Sequence, residues 1–202
     1  METAENLAGE PRDVFVFDGL PVEEGALATT LLGVDDVLRR GALARSVQLA
    51  GAARAVLAAT QRYVTEREQF GRPLARFQAV QQQLATLAAE VTAMHVAADA
   101  AVLAAEAADA DPVAGPAAEV AVAAAKAVTS AGAQVVASIG HQLHGALGYT
   151  QEHRLGASTM RLWSWREEFG GEGLWQDRLA AAVIDRSAWW PLVTGTPVDG
   201  GA

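Results

Sequence analysis

Phe77, Val80, Leu84, Leu87, Val91, Met94, Ala98, Ala101 and Ala105 follow one another at alternating spacings of three and four residues. That rhythm keeps one face of an α-helix in line for about four heptads, whereas a strand alternates with a period of two. A helix with a single long apolar stripe needs other helices to cover it, because its stability comes from packing more than from propensity. The fold class that follows is an all-α bundle.

The rest of the chain supplies the covering helices. A first long helix is predicted from about Asp35 to Glu66, capped by Asp35 or Asp36, with Leu49, Ala53, Val56, Thr60 and Tyr63 on one face. Gly71 ends it and Pro73 opens the second helix, which carries the stripe and closes at Asp111-Pro112. Gly115-Pro116 completes a short loop. A third helix is predicted from about Ala117 to Leu143, with Val120, Ala124, Ala127, Ala131 and Val135 on one face. Residues 144–149, HGALGY, form a glycine-bearing break. A fourth helix starts near Glu152 and runs towards Glu168, Gly170, Gly171 and Gly173 interrupt it, and a short last helix covers about 174–188. The expected architecture is an antiparallel four-helix bundle over 35–190, with an N-terminal tail at 1–34 and a flexible tail at 191–202. Much of the apolar content is alanine, the best helix former and small enough for close helix approach.

Residues 1–12 show no periodicity and are expected to be mobile. Residues 13–17, DVFVF, are β-branched and aromatic, and Asp18-Gly19 follows as a turn signal, so a strand is expected there. A lone strand must pair. It either lies across the helices or finds its partners on another polypeptide.

Charge and composition exclude several functions. The 202 residues carry a net charge of −9 and no cysteine. Disulfides, thiolate metal sites and cysteine nucleophiles are ruled out, and nucleic acid is not an expected partner without a basic face. The N-terminus is acidic, at Glu2, Glu5 and Glu10, unlike a secretory signal. Glu90, Asp99, Glu106, Asp109, Glu119 and Lys126 interrupt the alanine tracts, so no membrane span is expected and a cytoplasmic location is. Lys126 is the only lysine beside fourteen arginines, a bias that points to a GC-rich bacterial genome.

Four groups of residues could carry chemistry. His141 and His144 are spaced to share a metal, but a third ligand would have to be Glu152 or His153 across a glycine break; histidines that cap carbonyls or face a cofactor or subunit are the better reading, and no metal is expected. Arg166-Glu167-Glu168 with Glu172 is an acidic cluster that could hold a general base or be a solvated helix end. Trp163, Trp165, Trp175, Trp189 and Trp190 read as core or interface rather than as a stacking platform. Arg67-Glu68-Gln69-Phe70-Gly71 differs in kind: an arginine suits phosphate oxygens and a phenylalanine offers a face to a planar ring. A helix-corner salt bridge is its bland alternative.

The segment YVTEREQFGRPLARFQAVQQQLA, residues 63–85, resembles a signature of the C-terminal domain of acyl-CoA dehydrogenases. HQLHGALGYTQEHRL, residues 141–155, resembles the second signature of that family, and FVFDGLPV, residues 15–22, resembles the last strand and exit of its middle β-domain. The resemblance spans about residues 14–186 and implies a four-helix bundle that builds an oligomer. It implies FAD-dependent α,β-dehydrogenation of an acyl-CoA thioester, with a glutamate taking the α-proton and a hydride passing to the flavin, and hence a role in fatty acid or lipid metabolism. It further implies that Arg67, Gln69 and Phe70 contact the FAD of a neighbouring subunit, that Gln78 sits by its adenosine, and that Gln142 and Gly145 approach its ADP portion from another chain.

The sequence departs from that pattern in three places. Ala146 stands where a second glycine is usual. The two positions at which the family keeps its catalytic glutamate correspond to Phe169 and Gly41, and Glu168 lies one residue off, about 100° away around a helix. The family's N-terminal helical domain and most of its β-domain have no counterpart here. The expected role is a short subunit or C-terminal portion that completes an FAD site and an oligomer, homomeric or with a longer dehydrogenase subunit, and that is inactive and nearly colourless alone. The alternative is a structural partner that binds no FAD.

Overall fold

The computed structural model describes residues 2–26, 32–149 and 155–185. Among the described residues five α-helices carry the fold: α1 Val34–Glu66, α2 Gln78–Ala110, α3 Gly115–His144, α4 Leu155–Trp165 and α5 Glu172–Asp185. A two-residue hairpin, β1 Glu68–Gln69 with β2 Arg72–Pro73, links α1 to α2. The chain is therefore the expected all-α bundle. α3 is its centre and packs against α1, α2, α4 and α5.

Local chemistry sets the helix ends. Gly33 takes the N-cap of α1, and the Asp36 carboxylate reaches back to its N–H at 2.9 Å, so the aspartates act from inside the first turn rather than as the cap. Gly71 is left-handed, as expected of it, but in the hairpin turn; the C-cap of α1 is Arg67 in extended conformation. Pro73 pairs in β2, and α2 begins only after a 3-10 turn at Leu74–Arg76. Pro116 lies in the first turn of α3 rather than in a loop, where its missing N–H costs nothing. Gly173 is inside α5.

The α2 stripe is buried from Leu87 through Val91, Met94 and Ala98 to Ala101, with Phe77, Val80, Leu84 and Ala105 half-buried at its ends. The α3 face differs from the expected one. Of Val120, Ala124, Ala127, Ala131 and Val135 only Ala127 is buried; the packed face runs through Val122, Ala125, Thr129, Ala133, Val136 and Gly140. Half of α3 is alanine or valine, which mark its phase weakly, and Lys126 and Ser130, which look like surface, are buried. Gly132 and Gly140 let the axes close in: a Cβ would come within 2.8 Å of Met94 on α2 and 2.7 Å of Val56 on α1. Leu87 has no exposed surface. Leu87→Ala should cost about 2–5 kcal/mol in chemical denaturation; a loss under about 0.5 kcal/mol, the range of surface changes, would place the seam elsewhere.

By length and composition α2 and α3 are long and apolar enough to cross a bilayer, contrary to the sequence-based expectation. α3 is mostly buried within the bundle, but α2 is not, and it shows Val96 and Leu103 on its outer side.

The N-terminal segment also departs from expectation. Residues 2–14 are not loose: isolated bridges join Glu2 to Val14 and Glu5 to Pro11, and side chains tie the loop to α4 and to the α4–α5 corner. No strand forms over 13–17. Phe15, Val16 and Phe17 are exposed instead and do not lie across the helices. Trp175 is core and Trp163 and Trp165 are half-buried; Trp189, Trp190, Glu152, His153 and the tail 191–202 lie outside the described residues.

Candidate functional site

The hairpin between α1 and α2 displays one aromatic ring. Phe70 and Gly71 form its two-residue turn with φ of +51° and +77°. Positive φ at both centres defines a type I′ turn, which favours Asn-Gly, so phenylalanine at the first position is held against its own sterics. Phe70 is 91% exposed and its ring stands edge-on to Phe77, at 6.2 Å between centroids, while the Arg72 guanidinium covers Phe77 at 4.2 Å.

Behind the hairpin, a cavity of about 480 Å³ is lined by Tyr63, Arg67, Gln69, Gln142, His144 and Gly145 together with neighbouring residues of α2. The two separate sequence motifs thus meet on one protomer. Gly145 ends α3 with φ 61° and ψ −147°, a backbone that L side chains rarely adopt. Ala146 follows at no positive φ and exposed, so its methyl causes no strain within the chain. His144 is buried, bonds the Gly140 carbonyl through Nδ1 at 2.8 Å, and stacks on Tyr63 at 4.4 Å. This stack braces the cavity wall, and the sequence gives no sign of it because Tyr63 and His144 are 81 residues apart. Gln78 is the first residue of α2, exposed, and not among those lining the cavity.

His141 turns to α4, where its Nε2 meets Thr159 Oγ1 at 2.9 Å. Burial lowers its pKa, partly offset by a backbone hydrogen bond at Gly148. The two histidines therefore serve different contacts, and among the described residues no cluster of metal-ligating side chains occurs. Gln142 also borders a second cavity of about 910 Å³ between α3, α4 and the N-terminal loop.

The α4–α5 corner holds the candidate base Glu168 and Phe169, and Gly41 faces it from α1. Glu168 accepts a two-pronged contact from Arg12, Nε to Oε1 at 2.8 Å and Nη2 to Oε2 at 3.0 Å. Asn6 adds a bond at 3.1 Å, and Arg45 pairs with Oε2. Glu10 stands beside this network. Partial burial opposes its charge, but bonds from Trp165, Asn6, Arg161 and Arg12 outweigh burial and hold its pKa at about 2. Glu167 is largely solvated and pairs with Arg166. Gly41 and Phe169 are in direct contact.

Under this corner lies Lys126, with no exposed surface. Its Nζ donates to Ser130 Oγ at 2.9 Å and to the carbonyls of Arg166 and Gly170, each at 2.8 Å. Burial lowers its pKa to about 8. The sequence signal for this residue was a single lysine inside an alanine helix.

Fold and site together define an all-α bundle domain in which the α1–α2 hairpin and the C-terminal end of α3 line one cavity. The chain belongs to the acyl-CoA dehydrogenase family: the model of the acyl-CoA dehydrogenase C-terminal domain matches residues 34–180. A solved steroid acyl-CoA dehydrogenase, the Tcur3481-Tcur3483 G363A variant, is 28% identical with a TM-score of 0.76, over 92% of this chain and 48% of that one. Butyryl-CoA dehydrogenase from Megasphaera elsdenii is 25% identical with a TM-score of 0.65, over 73% of this chain and 37% of that one. The ChsE4-ChsE5 complex from Mycobacterium tuberculosis shares the fold, at 23% identity and a TM-score of 0.76, over 97% of this chain and 49% of that one. The chain thus spans about half or less of the length of these structures. No match is found among curated proteins.

Proposed function

We propose that this chain completes the FAD site of an acyl-CoA dehydrogenase assembly from outside, by gripping the dinucleotide end of a cofactor whose flavin ring is held by another polypeptide. The observation that carries this reading is the convergence of Arg67, Gln69, Gln142 and Gly145 on one cavity beside the displayed Phe70 ring. Among the described residues Arg67 makes no ion pair, so its guanidinium is available to a phosphate. The donor set fits the group: a cation for pyrophosphate, amides for ribose or adenine, and a glycine for close backbone approach.

Bound FAD would accept the hydride from the β-carbon of an acyl-CoA. This chain's residues hold and orient the cofactor's far end. They supply no base from positions 41 and 169, so the α-proton is taken by a carboxylate of another polypeptide. A hetero-oligomeric partner is favoured, because the 28% identical relative is itself described as a pair of different chains. The apolar outer side of α2 and the exposed Phe15–Phe17 run are surfaces for that assembly.

The test is flavin retention. The isolated chain should purify without stoichiometric flavin absorbance near 450 nm, on the order expected when the ring pocket is elsewhere. In the complex with its dehydrogenase subunit, Arg67→Ala should weaken FAD binding by roughly 10- to 100-fold, the worth of one charge-assisted contact. Unchanged FAD affinity on Arg67→Ala would favour the other reading, a structural partner that touches no cofactor.

A further inference from the structure

Gly41 on α1 and Phe169 after α4 are distant in sequence and interlocked in space. A Cβ at residue 41 would stand 2.1 Å from Phe169 Cδ1 and 2.4 Å from Cε1 and Cγ, far inside any real contact. The ring therefore occupies the volume that every side chain other than hydrogen would need. Phe169 reaches this position with a φ of +55°, in the left-handed region that bulky residues avoid. Such a backbone persists only where the surroundings over-determine it. Here Trp175 Nε1 donates to the Phe169 carbonyl at 3.0 Å, Lys126 Nζ holds the carbonyls of Arg166 and Gly170, and Ser130 Oγ donates to Arg166 at 3.0 Å. Side chains of α3 and α5 thus clamp the corner from below and aim one ring at α1. Phe169 is 41% exposed, so the residue is also partly open to solvent at the corner.

We propose that Gly41 and Phe169 form a stopper, in which the clamped phenyl ring fills the notch of α1, bars any side chain at position 41, and presents an apolar face where a base would stand. The two positions to which the family resemblance assigns a proton acceptor meet in this single contact. A substitution at 41 alone cannot restore a carboxylate there. The meaning for catalysis rests on the reading that this chain joins a dehydrogenase assembly; the interlock itself does not.

Thermal unfolding of the full chain tests it without flavin, so it succeeds or fails independently of the Arg67 experiment. Glycine to alanine inside a helix ordinarily stabilises. Gly41→Ala should instead lower Tm by several degrees while Phe169 is present, and raise Tm in a Phe169→Ala background. Gly41→Glu should show the same dependence, strongly destabilising beside Phe169 and tolerated beside alanine. A rise in Tm on Gly41→Ala in both backgrounds would overturn the stopper, as would equal losses in both, because a ring that is not in the notch cannot couple the two positions.

Discussion

Lys126→Ala should remove about 3–5 kcal/mol of stability, the range for truncating a buried side chain and stranding its polar partners. The residue lies at the junction of α3 with the α4–α5 corner and has no exposed surface. Truncation opens a cavity and leaves the Gly170 carbonyl without the donor it has now, while the Arg166 carbonyl keeps Ser130. Lys126→Met retains most of the volume and loses only the hydrogen bonds. It should therefore cost less than alanine, about 1–3 kcal/mol. Equal losses would mean that the hydrogen bonds alone matter at this position and the lost volume does not. A loss under about 0.5 kcal/mol for alanine would mean that the clamp is not made.

The same residue sets an alkaline signature. Burial lowers its pKa to about 8 from an ordinary value near 10.5. Between those values the unfolded chain binds the proton and the folded chain has released it. The unfolded state then holds more protons, so stability rises with pH through this window. The rise is absent below pH 8, where both states are charged, and complete above the unfolded value. Because Lys126 is the only lysine, Lys126→Met should flatten this part of the stability profile. A wild-type profile that falls from pH 8 to 10 in denaturant titrations, with the methionine variant falling in parallel, would contradict the assignment.

Long-period features of the sequence were legible. The stripe from Phe77 to Ala105 located α2 and its buried face, because apolar side chains large enough to matter sat among smaller ones. The glycine and proline signals marked every interruption but not its form: Gly71-Arg72-Pro73 announced a corner and proved to be half of a hairpin. The face of α3 was not legible, since alanine on all sides carries no phase and its buried polar residues mimic surface. DVFVF satisfied strand chemistry without a partner in this chain, and exposed side chains were the outcome. The convergence of residues 67–70 with 142–145 could be named from motifs, yet only the packing of α3 beside the hairpin brings them to one cavity. The interlock of Gly41 with Phe169 had no local sequence signal. It depends on a clamp built from Lys126, Ser130 and Trp175, which are scattered over fifty residues.

Glu168→Gln in the reconstituted assembly should leave turnover within a few-fold of wild type while weakening the fold. A general base needs a carboxylate oxygen open to the carbon acid it deprotonates, within hydrogen-bond reach. Glu168 has neither oxygen open. Oε1 accepts from Arg12 and Asn6, and Oε2 accepts from Arg12 and pairs with Arg45. Its side chain is only 19% exposed and fastens the N-terminal loop to the corner. Losing the charge leaves Arg45, itself 15% exposed, without its anion. Removing one partner of such a pair should cost about 2–4 kcal/mol, below the figure for a fully buried pair because Arg12 stays partly solvated. Glu168→Ala should go further and free residues 2–14, seen as faster amide exchange in that loop and unchanged exchange in α2. The two roles separate cleanly. A structural anchor changes stability and loop exchange with little effect on turnover per folded molecule. A base would lose a hundredfold or more in turnover, on the order expected for general base removal, without loosening the loop. That second outcome would move the catalytic carboxylate onto this chain.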